Sequence, residues 1–367
     1  MRDLVERIES ATPGTRDRGI DGLRALAILG VVLGHWLVTA LVADSGTVHG
    51  ASPLRAFPQL APVSWLFQTL AVFFLVGGIV AGRGRSAREP YGVWLRGRMA
   101  RLSRPVVTVV LVWAVVAGAT LASGVGLDTV RTLAKLVWSP LWFLAVLAVL
   151  TAATPLAARL APAWPVAIVA LVDLVRYGLG GPAWLGWVNV VAGWLVPYCV
   201  GLSWARGLPG RRTGWALLLG GAAVTAGLVL WAGYPAAMVG VPGAAVSNLD
   251  PPTLAAVTFG LAQCGASRLL LDPLRRALRR PAAWAAVAVA NLSAITIFLW
   301  HQTAMIAVTA LGLLADRPLP GLHTAPDSAA WVLARLAWLP VFGAALALCC
   351  TAFPSGSAAR PSRQDAP

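Results

Sequence analysis

The chain has 367 residues, of which 58% are hydrophobic and 12% charged, with a mean hydropathy of +0.74. A water-soluble domain carries roughly 25% charged residues, so the soluble classes are excluded. The net charge of +15 comes from arginines in short stretches between apolar runs, so membrane topology explains it and no nucleic-acid partner is expected. Repeated apolar runs of ~20 residues specify an all-α, polytopic integral membrane bundle in contact with the lipid bilayer. A membrane barrel would need alternating segments of ~10 residues, and the sequence has none.

Taken in order, residues 1–19 are polar and mixed in charge. They lack an apolar core of the signal-peptide kind and read as a cytoplasmic tail. Residues 20–353 form the transmembrane domain, and 354–367 a disordered cytoplasmic tail. Ten spans are expected, at about 20–43, 64–82, 104–125, 136–154, 161–175, 185–205, 213–232, 252–270, 286–313 and 329–353. The loop after the second span holds Arg83, Arg85, Arg88, Arg96, Arg98, Arg101 and Arg104. Arg206, Arg211 and Arg212 follow the sixth span, and Arg268, Arg275, Arg276, Arg279 and Arg280 the eighth. Arg360 and Arg363 lie in the tail. The stretch from Gly233 to Pro251 has Asp250 and no arginine or lysine. Positive charge stays on the cytoplasmic side, so both termini are expected there, in the cell inner (plasma) membrane. Two outer loops carry His49 and, with Asp316, His323, which are read as solvated. Cys199, Cys264, Cys349 and Cys350 all lie in apolar runs, so neither disulfide nor metal site is expected. No oligomeric state follows from the sequence.

The first span, Asp21-Gly-Leu-Arg24 through His35-Trp36, holds two residues foreign to lipid. Arg24 and His35 are eleven positions apart. At ~100° per residue this returns them to within ~20° of one helical face, ~16 Å apart along the axis, with Asp21, Ile28, Val31 and Val32 on the same face. Ionisable groups in a membrane helix are costly and face a protein interior or a wet cavity. Two accounts are open for Arg24: it snorkels beside Asp21 at the interface, or it lines a cavity. His35 lies deeper, as a hydrogen-bonded structural group or a reactive one. The expectation is that the other helices gather around this face.

Four more stretches stand out. They are Phe73-Phe74-Leu75-Val76-Gly77-Gly78, then Arg98-Met-Ala-Arg101-Leu-Ser-Arg104-Pro105, then Leu141-Trp142-Phe143-Leu144, and Thr296-Ile-Phe298-Leu-Trp300-His301-Gln302-Thr303. With the Arg24…His35 spacing, this set resembles the membrane-bound acyltransferase-3 family from about residue 20 to 345. That family shows an Arg, ten residues, then a His in its first helix. Its later marks are a Phe-Phe-x-x-Ser-Gly patch, an Arg-rich inner loop, a Trp-Phe-Leu start and a late Tyr-Leu-x-His segment. Gly77 stands in place of the family serine, and Phe298 where tyrosine is common.

The resemblance implies transfer of an acyl group, often acetyl, from cytoplasmic acyl-CoA to a hydroxyl of a sugar, lipid or secondary metabolite. His35 matches the catalytic histidine and Arg24 the essential arginine. The chemistry agrees: a histidine suits the removal of an alcohol proton, and a guanidinium suits thioester or phosphate oxygens. Arg98, Arg101 and Arg104 are candidates for the CoA phosphates, with the positive-inside bias as their plainer account. Asp21 and His301 are candidates for substrate contacts, with packing as the alternative for His301. A transporter or flippase would also place Arg and His on a cavity wall. The Arg-x10-His pattern, however, does not recur in the second half.

Overall fold

A computed structural model describes residues 2–44, 46–84, 89–241, 246–315 and 317–354. Arg85, Arg88, Asp316, Arg360, Arg363 and nearly all of the expected 354–367 tail lie outside the described residues.

The chain forms α1 (Arg2–Ser10) and α2 (Arg18–Val38), then a β-hairpin of β1 (Ala40–Asp44) and β2 (Thr47–Ala51). There follow α3 (Leu70–Arg83), α4 (Tyr91–Ala122), α5 (Leu127–Trp138), α6 (Leu141–Ala152) and α7 (Ala163–Asp173). The second half comprises α8 (Gly186–Arg206), α9 (Arg211–Trp231), α10 (Leu254–Ala277), α11 (Pro281–Leu292), α12 (Ala294–Gly312) and α13 (Ala329–Ala352). Among the described residues, eight helical stretches are long and apolar enough to cross a membrane, α5 and α6 counting as one. α3 and α11 are shorter apolar helices.

Several boundaries differ from the expected ones, each for a local reason. The first span ends at Val38, because Thr39 turns extended and Ala40–Asp44 pairs antiparallel with Thr47–Ala51, Val42 facing His49. Gly46, at φ +79°, supplies the left-handed turn. The arginine-rich stretch is not a loop: α4 begins at Tyr91, behind Pro90, and carries Arg96, Arg98, Arg101 and Arg104 in its first turns. Arginine is a good helix former, and Pro105 does not stop the helix. At 32 residues, α4 is about 48 Å long, well beyond a ~30 Å hydrocarbon core, so its arginines project past one face. Pro140 divides the fourth span into α5 and α6, and Ser293 divides the ninth into α11 and α12.

The chain visits two ends of the bundle alternately. At one end Asp17 caps α2, accepting from the Gly19 N–H at 3.2 Å. The same carboxylate takes Arg275 at 2.7 Å and Arg83 at 3.3 Å. Burial alone would raise the Asp17 carboxyl; Arg275 and then Arg83 reverse this and hold it below the usual carboxylate value. Tyr91 donates to the Ala152 carbonyl and Arg206 to the Ala158 carbonyl at this end. At the other end the hairpin meets α5 through Val48 N–H and Thr129 Oγ1, 3.0 Å apart, and Ala43 N–H donates to the His323 carbonyl at 3.1 Å. Here the solvated reading of His323 fails. The side chain is buried, donating from Nε2 to the Thr309 carbonyl at 2.8 Å and accepting the Leu319 N–H on Nδ1. His49 is exposed.

The helices pack through small residues, as lipid-embedded helices do. α3 crosses α8 where a Cβ on Gly78 would lie 2.2 Å from the Tyr198 carbonyl oxygen, and one on Gly201 2.1 Å from that of Leu75. α9 meets α10 in the same way, a Cβ on Gly265 falling 2.3 Å from the Leu218 nitrogen. Glycine is required at such backbone contacts because any side chain would force the helices apart. Apolar faces of α4, α9 and α13 remain open, with Val115 72%, Trp231 84% and Leu348 70% exposed, as expected of lipid-facing surface. α2 packs against α3, α10, α11, α12 and α13, leaving Leu26 and Leu29 exposed on its remaining face. Five of the helices thus gather on one side of the first span, while α4 to α9 pack elsewhere.

Candidate functional site

The site is built on the enclosed face of α2. Asp21, Ile28, Val31 and Val32 are buried there, with Arg24 and His35 partly buried. At its lower end, Asp21 accepts Arg16 Nε at 2.7 Å and Nη2 at 3.3 Å, with Arg24 Nη1 3.9 Å away. The carbonyl of Asp21 also takes Asn291 Nδ2 at 2.9 Å, which fastens α11 to α2. Asp21 thus spends its acceptors chiefly on Arg16. The side chain of Arg24 is only a quarter exposed, and among the described residues the 3.9 Å approach to Asp21 is its one polar contact. Its donors are left free.

Arg98 faces the same region. Its guanidinium lies over the Trp94 ring, 5.4 Å from the centroid, and close to Gly84 at the end of α3. It is near enough to Arg24 and Tyr198 to interact through charge, and its buried Nε has no partner. Arg101 and Arg104 are exposed, with Arg101 Nε bonded back to the Gly97 carbonyl at 3.1 Å. The three arginines are therefore not equivalent: α4 turns Arg98 inward toward Arg24 and leaves the other two at the surface.

At the upper end, His35 Nδ1 lies 3.1 Å from Gln302 Nε2, and its ring centre is 5.0 Å from that of His301. His301 is fully buried. Its Nδ1 is 2.6 Å from the Phe298 carbonyl oxygen, which can only accept, so Nδ1 carries the proton. The buried Nε2 of His301 is left as a lone pair without a partner. Trp36 Nε1 donates to the His301 carbonyl at 2.9 Å and fixes the register of α2 against α12.

Aromatic rings cluster beside the two histidines, beginning with Phe298, 6.0 Å from His301. Phe298 lies 5.1 Å from Phe143, which touches Phe73 at 4.9 Å and Phe74 at 4.8 Å; Phe74 stacks on Trp194 at 5.1 Å. Trp142 sits 6.0 Å from Trp194. Four helices, α3, α6, α8 and α12, thus meet in one aromatic cluster, which reaches His301 through Phe298. A Cβ on Gly77 would meet Leu147 Cδ1 at 3.2 Å and the Tyr198 ring at 3.7 Å, so these groups crowd the place of a serine side chain. The nearest hydroxyl pair is Tyr198 with Thr154 Oγ1, 2.8 Å apart.

The match to known families now has a structural setting. The acyltransferase-3 family model, described as an acyltransferase domain, matches residues 17–353. The chain belongs to the acyltransferase-3 family. Comparison with the curated proteins and with the solved structures gives no significant match. With its apolar helices, this acyltransferase is a multi-pass membrane protein.

Three residues of the acyltransferase escaped sequence reasoning. Gln302 lies inside a quoted stretch, a polar side chain in an apolar run, which was the available signal. Arg335 is a lone cation in the last span and carried the same signal. Tyr198 looked like any interfacial aromatic and gave none.

Proposed function

We propose that this acyltransferase moves an acyl group, acetyl by preference, from acyl-CoA to a hydroxyl of a carbohydrate, lipid or secondary-metabolite acceptor. The observation that supports the reading best is the polarity of one helix face. Arg24, with its donors unspent, joins Arg98 at one end, and His35 stands in an aromatic-walled pocket at the other. In this scheme, Arg24 and Arg98 hold the anionic donor at the cytoplasmic end, with Arg101 and Arg104 as outer contacts for its phosphates. His35 takes the acceptor hydroxyl proton as the oxygen attacks the thioester carbon. The tetrahedral intermediate then collapses, the C–S bond breaks, and the CoA thiolate recovers the proton from His35. His301 Nε2 accepts a hydrogen bond from the acceptor, and Asp21 steadies Arg24. No metal takes part.

The test is to give purified protein labelled acetyl-CoA with and without hydroxyl-bearing glycolipid acceptors. CoA release with label appearing as an ester is expected; intact donor under every condition would overturn the reading.

The division among the arginines makes a graded prediction. Arg98→Gln should weaken acyl-CoA binding by on the order of 1.5–3 kcal/mol, the value of a charge-assisted contact. Arg104→Gln should weaken it less, because an exposed charge is screened. Titration calorimetry with a non-hydrolysable acyl-CoA reads both; equal, negligible losses would leave these residues a topological role only.

The reading also needs orientation. We place ten crossings in the inner (plasma) membrane, with both termini and the start of α4 cytoplasmic. Cysteines introduced at Thr47 and Gly92, both exposed, should then react with an impermeant maleimide from opposite sides in sealed vesicles. Labelling of both from one side would rule the topology out.

A further inference from the structure

Gln302 is the one side chain hydrogen-bonded to the ring of His35 among the described residues. It lies on α12, one residue beyond His301, and is itself buried. Its Nε2 faces His35 Nδ1 at 3.1 Å while its Oε1 is buried with no partner. In that arrangement the amide donates, Nδ1 of His35 accepts, and the ring proton must sit on Nε2. A histidine protonated on Nε2 has no lone pair to offer a hydroxyl there, because Nδ1 is already engaged. Rotating the amide by 180° exchanges its oxygen and nitrogen and keeps the 3.1 Å contact. Oε1 then accepts from Nδ1–H, and Nε2 becomes the free lone pair.

Left to itself, a neutral imidazole favours the Nε2–H tautomer, which is the wrong one for this task. Among the described residues, no carboxylate pairs with either histidine, so no acid performs the orienting role that it plays in a Ser-His-Asp triad. The neighbouring His301 cannot supply it either: its own Nδ1 proton goes to the Phe298 carbonyl, and its Nε2 makes no bond to His35.

We infer that Gln302 is a positioning residue, whose side-chain carbonyl accepts the His35 Nδ1 proton and so presents the Nε2 lone pair to the acceptor hydroxyl. This rests on His35 as the base. The amide turns its NH2 toward the buried position now held by Oε1, where a substrate oxygen can receive it.

The chain has four histidines, so ring-15N-histidine labelling of the full-length protein in nanodiscs gives a spectrum simple enough to assign by single His→Asn variants. Wild-type His35 should show a protonated Nδ1 and a bare Nε2. In Gln302→Met, which has no acceptor of comparable strength, the Nε2–H form should dominate. Its kcat should fall by ~10²-fold or more with the KM for acyl-CoA unchanged. Gln302→Glu, assayed at a pH where the carboxylate is ionised, can only accept, so it should restore the Nδ1–H signature and much of the rate. A wild-type His35 protonated on Nε2 would overturn the inference, whether or not the variants fold. So would a Gln302→Met enzyme with the wild-type tautomer and rate. Failure of the base assignment looks different: there His35→Ala itself remains active.

Discussion

His35→Ala should lower acyl transfer by ~10²–10⁴-fold, the usual loss on removing a general base, while the purified variant keeps its folded mass and melting profile. Folding should survive because the side chain is only partly buried and has a single hydrogen bond, to Gln302 at 3.1 Å. The cross-link that fastens this part of α2 belongs to its neighbour, through Trp36 Nε1 and the His301 carbonyl. Arg24→Lys provides a companion test. It keeps the charge but loses the planar fork that can grip two oxygens, so it should raise the KM for acyl-CoA more than it disturbs stability. Both variants are read by ester formation from labelled acetyl-CoA, with thermal unfolding in detergent as control. Near wild-type transfer by His35→Ala would refute the base assignment. An aggregated or pre-melted variant would instead make His35 a packing residue.

Arg335→Ala should unfold the outer half of the site. This arginine, 1% exposed on α13, has no carboxylate partner among the described residues. It donates to the Trp36 carbonyl at 2.6 Å, the Thr39 carbonyl at 2.6 Å and the Gly321 carbonyl at 2.8 Å, and its head lies 4.7 Å from the Phe342 ring centre. Trp36 and Thr39 stand at the end of α2, where the last carbonyls lack intrahelical partners and the helix dipole favours a cation. A hydrogen bond to a charged group is worth about 1.5–3 kcal/mol, so loss of three, discounted for relaxation, should cost on the order of 4 kcal/mol. That is a large share of the stability of a typical domain. Arg335→Lys keeps the charge but cannot reach all three carbonyls, and should fall between the two. Fluorescence-detected size exclusion after heating measures the loss. An unchanged melting temperature in Arg335→Ala would show that water or the backbone replaces the guanidinium at no cost.

Much of the acyltransferase was legible in its sequence because lipid imposes simple rules. Apolar runs located the helices, and a histidine and an arginine eleven residues apart marked a helix on which five others pack. The quoted aromatic stretches meet in one cluster beside His301, and Gly78 lies in a backbone contact that requires it. What the sequence hid came from local chain effects and from distance. Arg98 to Arg104 read as a loop because charge was taken to end a membrane helix, whereas charge only places that part of α4 beyond the hydrocarbon. The hairpin after Val38 hid inside an apolar run that a helix would also have used. His323 looked solvated because its two hydrogen-bond partners, Thr309 and Leu319, are brought to it by the turn after α12. The difference between Arg98 and its neighbours, like the role of Arg335, depends on which element packs opposite, and no single-chain pattern encodes that.

The ties on α2 also bear on how the acyltransferase is made. The N-terminal cap of α2 is held by Arg275, 258 residues later, and its last carbonyls by Arg335, 299 residues after Trp36. Ribosomes deliver these partners only near the end of synthesis. Until then α2 has Arg83 on its Asp17 cap but lacks Arg275 there and Arg335 on its last carbonyls. Chains released before α13 would carry Arg24 and His35 on a helix whose last carbonyls lack Arg335. The first span thus takes two of its firmest ties from the second half of the chain.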